Sequence, residues 1–193
     1  MARDSESTRC RIFDAAFAEF ARDGFAGARI DRIAEAACAN KQLIYAHFGS
    51  KQALFDHVAT EVVARFNDEV EFDSKRLPEF AGEAYDFFTA NPEIVRLGEW
   101  HALDPLDSPG RIPAIEQSIK RHVRGIAKAQ AAGAVDATFA PDELFAMIIS
   151  IARAWAAGLP EVRRSPGQER RRRAQRRNAV VEATRRLVSP PRD

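Results

Sequence analysis

The run Arg29-Ile-Asp-Arg-Ile-Ala-Glu-Ala-Ala-Cys-Ala-Asn-Lys-Gln-Leu-Ile-Tyr-Ala-His-Phe-Gly-Ser-Lys-Gln-Ala-Leu-Phe55 contains two short amphipathic segments and the start of a longer one. The first, from Ile30 to Ala37, places Ile33, Ala34 and Ala37 at helical spacing, and the second, from Lys41 to His47, does so with Leu43, Ile44 and Phe48. Only Cys38-Ala39-Asn40 separates them. Gly49-Ser50 ends the second, and Ser50 is suited to cap a fourth helix because its hydroxyl accepts from free N–H groups one turn on. Upstream, Ile12, Phe13, Ala16, Phe17 and Phe20 line one face of a helix from Ser7 to Arg22, which Asp23-Gly24 is expected to stop. Helices of two turns do not hold themselves up and must pack on Phe13, Phe17 and Phe20. Two short helices joined by a tight turn and braced by a longer one make a helix-turn-helix, whose second short helix enters the DNA major groove.

Downstream the periodicity stays helical. Ala53, Leu54, Val58, Val62, Phe66 and Val70 form a stripe that predicts a fourth helix to about Phe72. Leu77-Pro78 and Asn91-Pro92 open two more, since proline at the first turn lacks an N–H that has no intrahelical partner there. Asp104 to Gly110 reads as a loop by its turn residues. Further helices run from about Pro113 to Ala132, from Pro141 to Ala157 with a stop at Gly158-Leu-Pro160, and from about Glu169 to Val188. The expectation is an all-α chain of about nine helices: a head over residues 1–50, continued through helix four at about 51–72, and a body over residues 51–193.

Composition narrows the function classes. The 193 residues are 46% hydrophobic and 30% charged, enough to bury a core. The longest uncharged apolar run, Leu144 to Ala152, has nine residues, against ~20 for a membrane span. The charged N-terminus has no apolar signal segment, which leads to an expectation of a cytoplasmic protein with no membrane partner. Two cysteines without a CxxC frame neither a disulfide scaffold nor a zinc site. No metal or other cofactor is expected. The net charge of +1 hides a partition: residues 1–60 carry 8 basic and 8 acidic groups, residues 61–160 carry 10 and 16, and residues 161–193 carry 11 and 4. Nucleic-acid binding must therefore come from a local set of side chains rather than bulk charge.

Ile33-Ala34, Ala37, Ile44-Tyr45, His47-Phe48, Ser50-Lys51 and Leu54-Phe55, with Gly24-Phe25 before them, resemble the N-terminal domain of the TetR family of bacterial transcriptional repressors. The likeness covers about residues 8–58; beyond that it extends only to the layout of helices. It implies that Lys41, Gln42 and Leu43 face base edges, while Tyr45, His47 and Lys51 hold phosphates on either side. Gln42 suits adenine and Lys41 guanine or phosphate. Arg29, with Arg9 or Arg11, is expected to add phosphate contacts. Two departures stand out. Cys38 replaces the usual turn glycine, at a cost of roughly 1 kcal/mol if the backbone is left-handed. Arg29 replaces a Ser or Thr near the start of helix two, removing a hydroxyl cap.

The resemblance further implies a homodimer on a double-stranded DNA operator, with heads ~34–36 Å apart to read successive major grooves. The dimer candidates are Leu144, Ile148, Ile151 and Trp155 on helix eight and Val180, Val181, Thr184 and Leu187 on helix nine. A mostly apolar small-molecule effector is expected among helices four to eight, walled by Phe66, Phe87, Phe88, Trp100 and Phe145, with Phe80, Phe139 and Met147 beside them. His101 or His122 would supply a polar handle. A constitutive, ligand-free DNA-binding dimer is the alternative. An enzyme is not expected: His101 with Asp104 and His57 with Asp56 lack a neighbouring nucleophile, phosphate loop or third metal ligand. Cys38 is expected to be a small buried hydrophobe rather than a redox sensor. The Arg170 to Arg177 cluster reads as a solvated face or a partner for the acidic middle of the chain, with Arg171 or Arg173 near a partner subunit.

Overall fold

A computed structural model describes residues 2–103, 112–157 and 169–190. Among the described residues there are nine α-helices and no strand: α1 Ala2–Gly27, α2 Ile30–Ala36, α3 Lys41–Phe48, α4 Lys51–Glu69, α5 Leu77–Ala90, α6 Pro92–Leu103, α7 Pro113–Ala131, α8 Pro141–Ala157 and α9 Glu169–Val188. The all-α expectation holds. The loop expected at Asp104 to Gly110 and the stop at Gly158 to Pro160 lie outside the described residues.

Two helices end elsewhere than the pattern predicts. Gly24 takes φ 68°, as a helix stop would, yet the chain resumes one more turn to Gly27. The Ala28 N–H closes that turn on the Gly24 carbonyl at 3.1 Å. A Cβ at residue 24 would stand 3.0 Å from the Trp100 ring, so glycine is required here by both backbone and space. Helix α4 stops at Glu69 and leaves Phe72 in a non-helical segment, with Val70 buried.

The chain forms two compact units, residues 1–63 with 93–115 and residues 64–92 with 116–193. The first therefore extends beyond residue 50 and takes in α6. Its core joins Ile12, Ala16 and Phe20 of α1 to Ile33, Ala37, Ile44, Leu54, Phe55 and Val58, nearly all with no exposure. Phe20 meets Phe55 edge-on at 5.0 Å. Burying a phenylalanine of this kind stabilises the fold by about 1.5–3 kcal/mol. Phe13 and Phe17 stack at 6.5 Å on the margin of the core.

The second unit is built on α5, whose Leu77, Phe80, Ala81, Ala84, Tyr85, Phe87 and Phe88 are all buried. Helices α8 and α9 pack on it. Gly82 permits the approach of α9: a Cβ there would lie 2.9 Å from Val181 Cγ2. Arg177 of α9 closes the same contact with Asp86 at 2.6 Å, and Arg173 lies 3.7 Å from that carboxylate. Part of the arginine cluster thus pairs with the acidic middle of the chain, as expected.

Candidate nucleic-acid interface

The turn between α2 and α3 has a defined geometry. The Cys38 N–H donates to the Glu35 carbonyl at 3.1 Å and the Ala39 N–H to the Ala34 carbonyl at 2.9 Å. This pair of bonds is the Schellman closure, in which the residue at the position of Cys38 is normally a left-handed glycine. Cys38 indeed has φ 49°, the one non-glycine positive φ among the described residues. The expected backbone strain is present. The expected burial is not: Cys38 is exposed, because the inward position of the turn is filled by Ala37, 1% exposed.

Asn40 then starts α3. Its Oδ1 accepts the Leu43 N–H at 2.8 Å, the side-chain cap on which asparagine's helix-starting preference rests. Gly49, at φ 80°, ends α3 by donating to the Tyr45 carbonyl at 2.8 Å. Ser50 caps α4 as the sequence predicts, its Oγ accepting the Ala53 N–H at 3.0 Å.

The missing hydroxyl cap on α2 is replaced from another helix. Glu19 of α1, 4% exposed, accepts the Arg29 backbone N–H at 2.9 Å and Arg32 Nε at 2.7 Å, and also pairs with Arg22. A carboxylate at the amino end of α2 also complements the helix dipole. At the other end, Arg11 Nε donates to the Ala37 carbonyl at 3.1 Å. Helix α1 thus clamps α2 at both termini by charged hydrogen bonds. The two terminal nitrogens of Arg11 donate to the Ser7 and Thr8 hydroxyls on α1 itself.

On α3, Ile44 has no exposure and anchors the helix inward. Lys41, Gln42 and Tyr45 form the opposite, exposed face, with Leu43 and His47 half-buried at its sides. Tyr45 is 45% exposed, a large fraction for an aromatic whose neighbour Ile44 is fully buried. Lys41 pairs with Asp31 of α2. Lys51 rests 4.8 Å above the Phe25 ring and 3.4 Å from the Ala26 carbonyl; burial lowers its pKa, partly offset by the charge of Glu19. Arg29 is exposed, and Arg9 sits 5.8 Å over the Phe48 ring. The solvent face of α3 presents two amides or amines and a phenol, the donor set suited to base edges and phosphates.

The sequence and structure comparisons agree with this geometry. Residues 12–58 match the family model described as bacterial regulatory proteins, tetR family, and residues 76–186 match that of the tetracyclin repressor-like C-terminal domain. The HTH-type transcriptional repressor SCO4008 of Streptomyces coelicolor is 39% identical over 166 residues, covering 84% of this chain and 85% of that protein. The chain belongs to the TetR family of bacterial regulatory proteins. The HTH-type transcriptional repressor NicS of Pseudomonas putida is 32% identical over 103 residues, covering 50% of this chain and 49% of that protein. The crystal structure of the transcriptional regulator SCO4942 of Streptomyces coelicolor superposes with a TM-score of 0.78 at 34% identity, covering 95% of this chain and 99% of that one. The family places this protein among DNA-binding regulators of transcription, with α2 and α3 as its helix-turn-helix.

In the second unit of this TetR-family protein, the residues expected at a dimer contact divide into two sets. Leu144, Ile148, Val180 and Thr184 have no exposure within the subunit, so they pack inward and offer no surface to a partner. Ile151, Trp155, Val181 and Leu187 remain partly exposed. Val181 faces Gly82, and Trp155 meets Tyr85 edge-on at 6.4 Å. Ile151 and Leu187, with Ala146, Met147, Ser150, Ala183 and Arg186, line a shallow apolar groove between α8 and α9. Only one side of each stripe faces out.

The residues expected at an effector pocket also divide. Phe66 contacts Phe87 at 5.2 Å and Phe88 at 5.6 Å, and His122 stacks on Phe145 at 5.1 Å, all within the second unit. Trp100 and His101 lie in the first unit: Trp100 is 42% exposed beside Gly24, and His101 faces Phe55 at 6.4 Å. Phe139 is 37% exposed, and Met147 lines the outer groove, so neither belongs to the aromatic cluster. His122 is 1% exposed, and burial pushes its pKa down to about 4, helped by the Arg121 charge and opposed by the Ser118 backbone. It stays neutral at physiological pH.

Proposed function

We propose that this TetR-family protein is a repressor that binds a palindromic operator as a homodimer and is released by a small, mostly apolar ligand. The observation that carries the DNA reading is the two-sided character of α3, with Ile44 sealed in the core and Lys41, Gln42 and Tyr45 open to solvent. Repression is supported by the names of SCO4008 and NicS. The apolar groove of Ala146, Met147, Ile151 and Leu187 supports a second copy packing on α8 and α9. The cluster of Phe66, Phe87, Phe88, His122 and Phe145 supports an apolar effector held by one polar group.

The test is anisotropy of a labelled fragment of the protein's own promoter region over a range of salt. Tyr45→Ala and Lys51→Ala weaken binding to every sequence, and Lys51→Ala lowers the salt slope by about one. Unchanged affinity in both variants would remove α3 from the interface. Ile151→Asp combined with Leu187→Asp yields a monomer in sedimentation and loses operator binding. A variant that stays dimeric moves the interface elsewhere.

A further inference from the structure

Trp100 is 42% exposed, yet its indole has a definite seat in the first unit. A Cβ added at Gly24 would stand 3.0 Å from Trp100 Cδ2 and 3.1 Å from Cε3 and Cγ, so the indole rests directly on the backbone of residue 24. Leu97, one turn earlier on α6 and 4% exposed, fixes that helix in the core of the unit. Gly24, at φ 68° and ψ 179°, has left the helical region. The hydrogen-bond ladder of α1 is therefore interrupted there, and the direction of the last turn, residues 25–27, is set by what packs on it rather than by the helix before it.

That last turn carries the groups that hold Lys51. Phe25 meets Phe55 at 5.3 Å and Phe20 at 6.4 Å, and the Lys51 ammonium lies 4.8 Å above the Phe25 ring and 3.4 Å from the Ala26 carbonyl. A lysine stem has four rotatable bonds, and fixing its charge in the free protein spares that ordering cost when DNA binds. Here the fixing groups come from one turn, which adjoins the glycine under the indole. Resting on the reading of Lys51 as a phosphate ligand, we infer that Trp100 is a positioning residue for DNA binding: its indole sets the last turn of α1, and that turn sets the Lys51 ammonium where it meets a phosphate. Trp100 acts through the turn, without a contact of its own to the duplex.

The first measurement needs no DNA. In the full chain labelled with 13C-lysine, the five lysines give five ε-methylene signals, and Lys51→Ala assigns one by deleting it. The Phe25 ring current places the Lys51 ε-protons upfield of the other four. Trp100→Ala moves them back towards the others, whereas Trp100→Phe, which keeps a flat ring on Gly24, leaves them in place. Trp100→Leu serves if Trp100→Ala does not fold. The second measurement is anisotropy on the promoter fragment and on a random duplex. Trp100→Ala weakens both by the same factor and lowers the salt slope by about one, as Lys51→Ala does, and the double variant loses no more than either single one. Trp100→Phe restores both readouts. An unmoved Lys51 signal overturns the seat. With Lys51→Ala weakened, a wild-type salt slope in Trp100→Ala, additive losses in the double variant or no rescue by Trp100→Phe overturns the positioning role. Full affinity in Lys51→Ala overturns the phosphate reading of Lys51 instead, and the Lys51 signal then decides the seat alone: moved in Trp100→Ala it keeps the seat, unmoved it overturns it.

Discussion

The two compact units handle polar groups in opposite ways. In the first, polar and charged side chains close the ends of helices: Glu19 and Arg11 clamp α2, Asn40 caps α3 and Ser50 caps α4. In the second, buried polar atoms are left unpaired. Of the four such side-chain atoms among the described residues, those of Thr89, His122 and Thr184 lie there, and only His101 Nδ1 belongs to the first. A part that reads DNA must hold one geometry, and satisfied hydrogen bonds specify a unique arrangement. On the proposed function the second unit answers a ligand, and unpaired groups give it an arrangement that a ligand can improve.

The sharpest way to break this comparison is to remove the clamp. Glu19→Leu leaves the Arg29 N–H and two guanidinium groups without their buried carboxylate. It is expected to destabilise the first unit by about 3 kcal/mol, less than a fully buried pair because Arg22 and Arg32 are partly exposed. Urea unfolding followed by DNA anisotropy checks it; a loss below ~1 kcal/mol would mean that the apolar core alone holds α2.

Acid should act on the other unit. His122 has a folded pKa near 4 against 6.5, so the unfolded chain takes up the proton first as pH falls. Stability is intact above about pH 6.5, declines through the interval and levels off below 4, a loss of about 3 kcal/mol. His122→Phe removes this contribution to the slope. Thermal melts of both proteins between pH 7.5 and 4.5 measure it, and parallel curves would show that His122 is solvated.

Smaller effects sharpen the comparison inside the first unit. Gln42→Ala is expected to cost about 1–2 kcal/mol on the operator and little on random DNA, because a side chain at a base edge carries sequence information. Equal losses on both would reassign Gln42 to the phosphates. Cys38→Gly relieves the positive φ at the turn and is expected to stabilise by about 0.5–1 kcal/mol, the greater unfolded-state entropy of glycine offsetting part of the gain. A melting temperature that does not rise would show that the turn is unstrained.

The head was legible in sequence because its rules are local. Ser50 before an apolar run, glycine at residue 49 and the spacing of Ile33, Ile44 and Leu54 each act within a turn or two. Asn40 was equally readable as a cap, since it stands directly before Lys41. Glu19 was not: it lies ten residues from Arg29 and thirteen from Arg32, and nothing in one-dimensional spacing distinguishes it from the acidic residues of a solvated face. In the body, periodicity placed Leu144 and Ile151 on one apolar stripe without deciding which faces α5 and which faces out.

Residue order alone was enough to dictate the nine described helices, most of their ends and which face of α3 is exposed, because backbone capping and 3.6-residue periodicity are short-range effects. Only the three-dimensional packing decided that Glu19 would serve as the cap α2 lacks, that Trp100 and His101 would leave the aromatic cluster, and that Phe72 would lie over Gly125 against His122. Those outcomes depend on which helices meet and at what distance. Such contacts arise between residues far apart in the chain, where sequence spacing carries no geometric information.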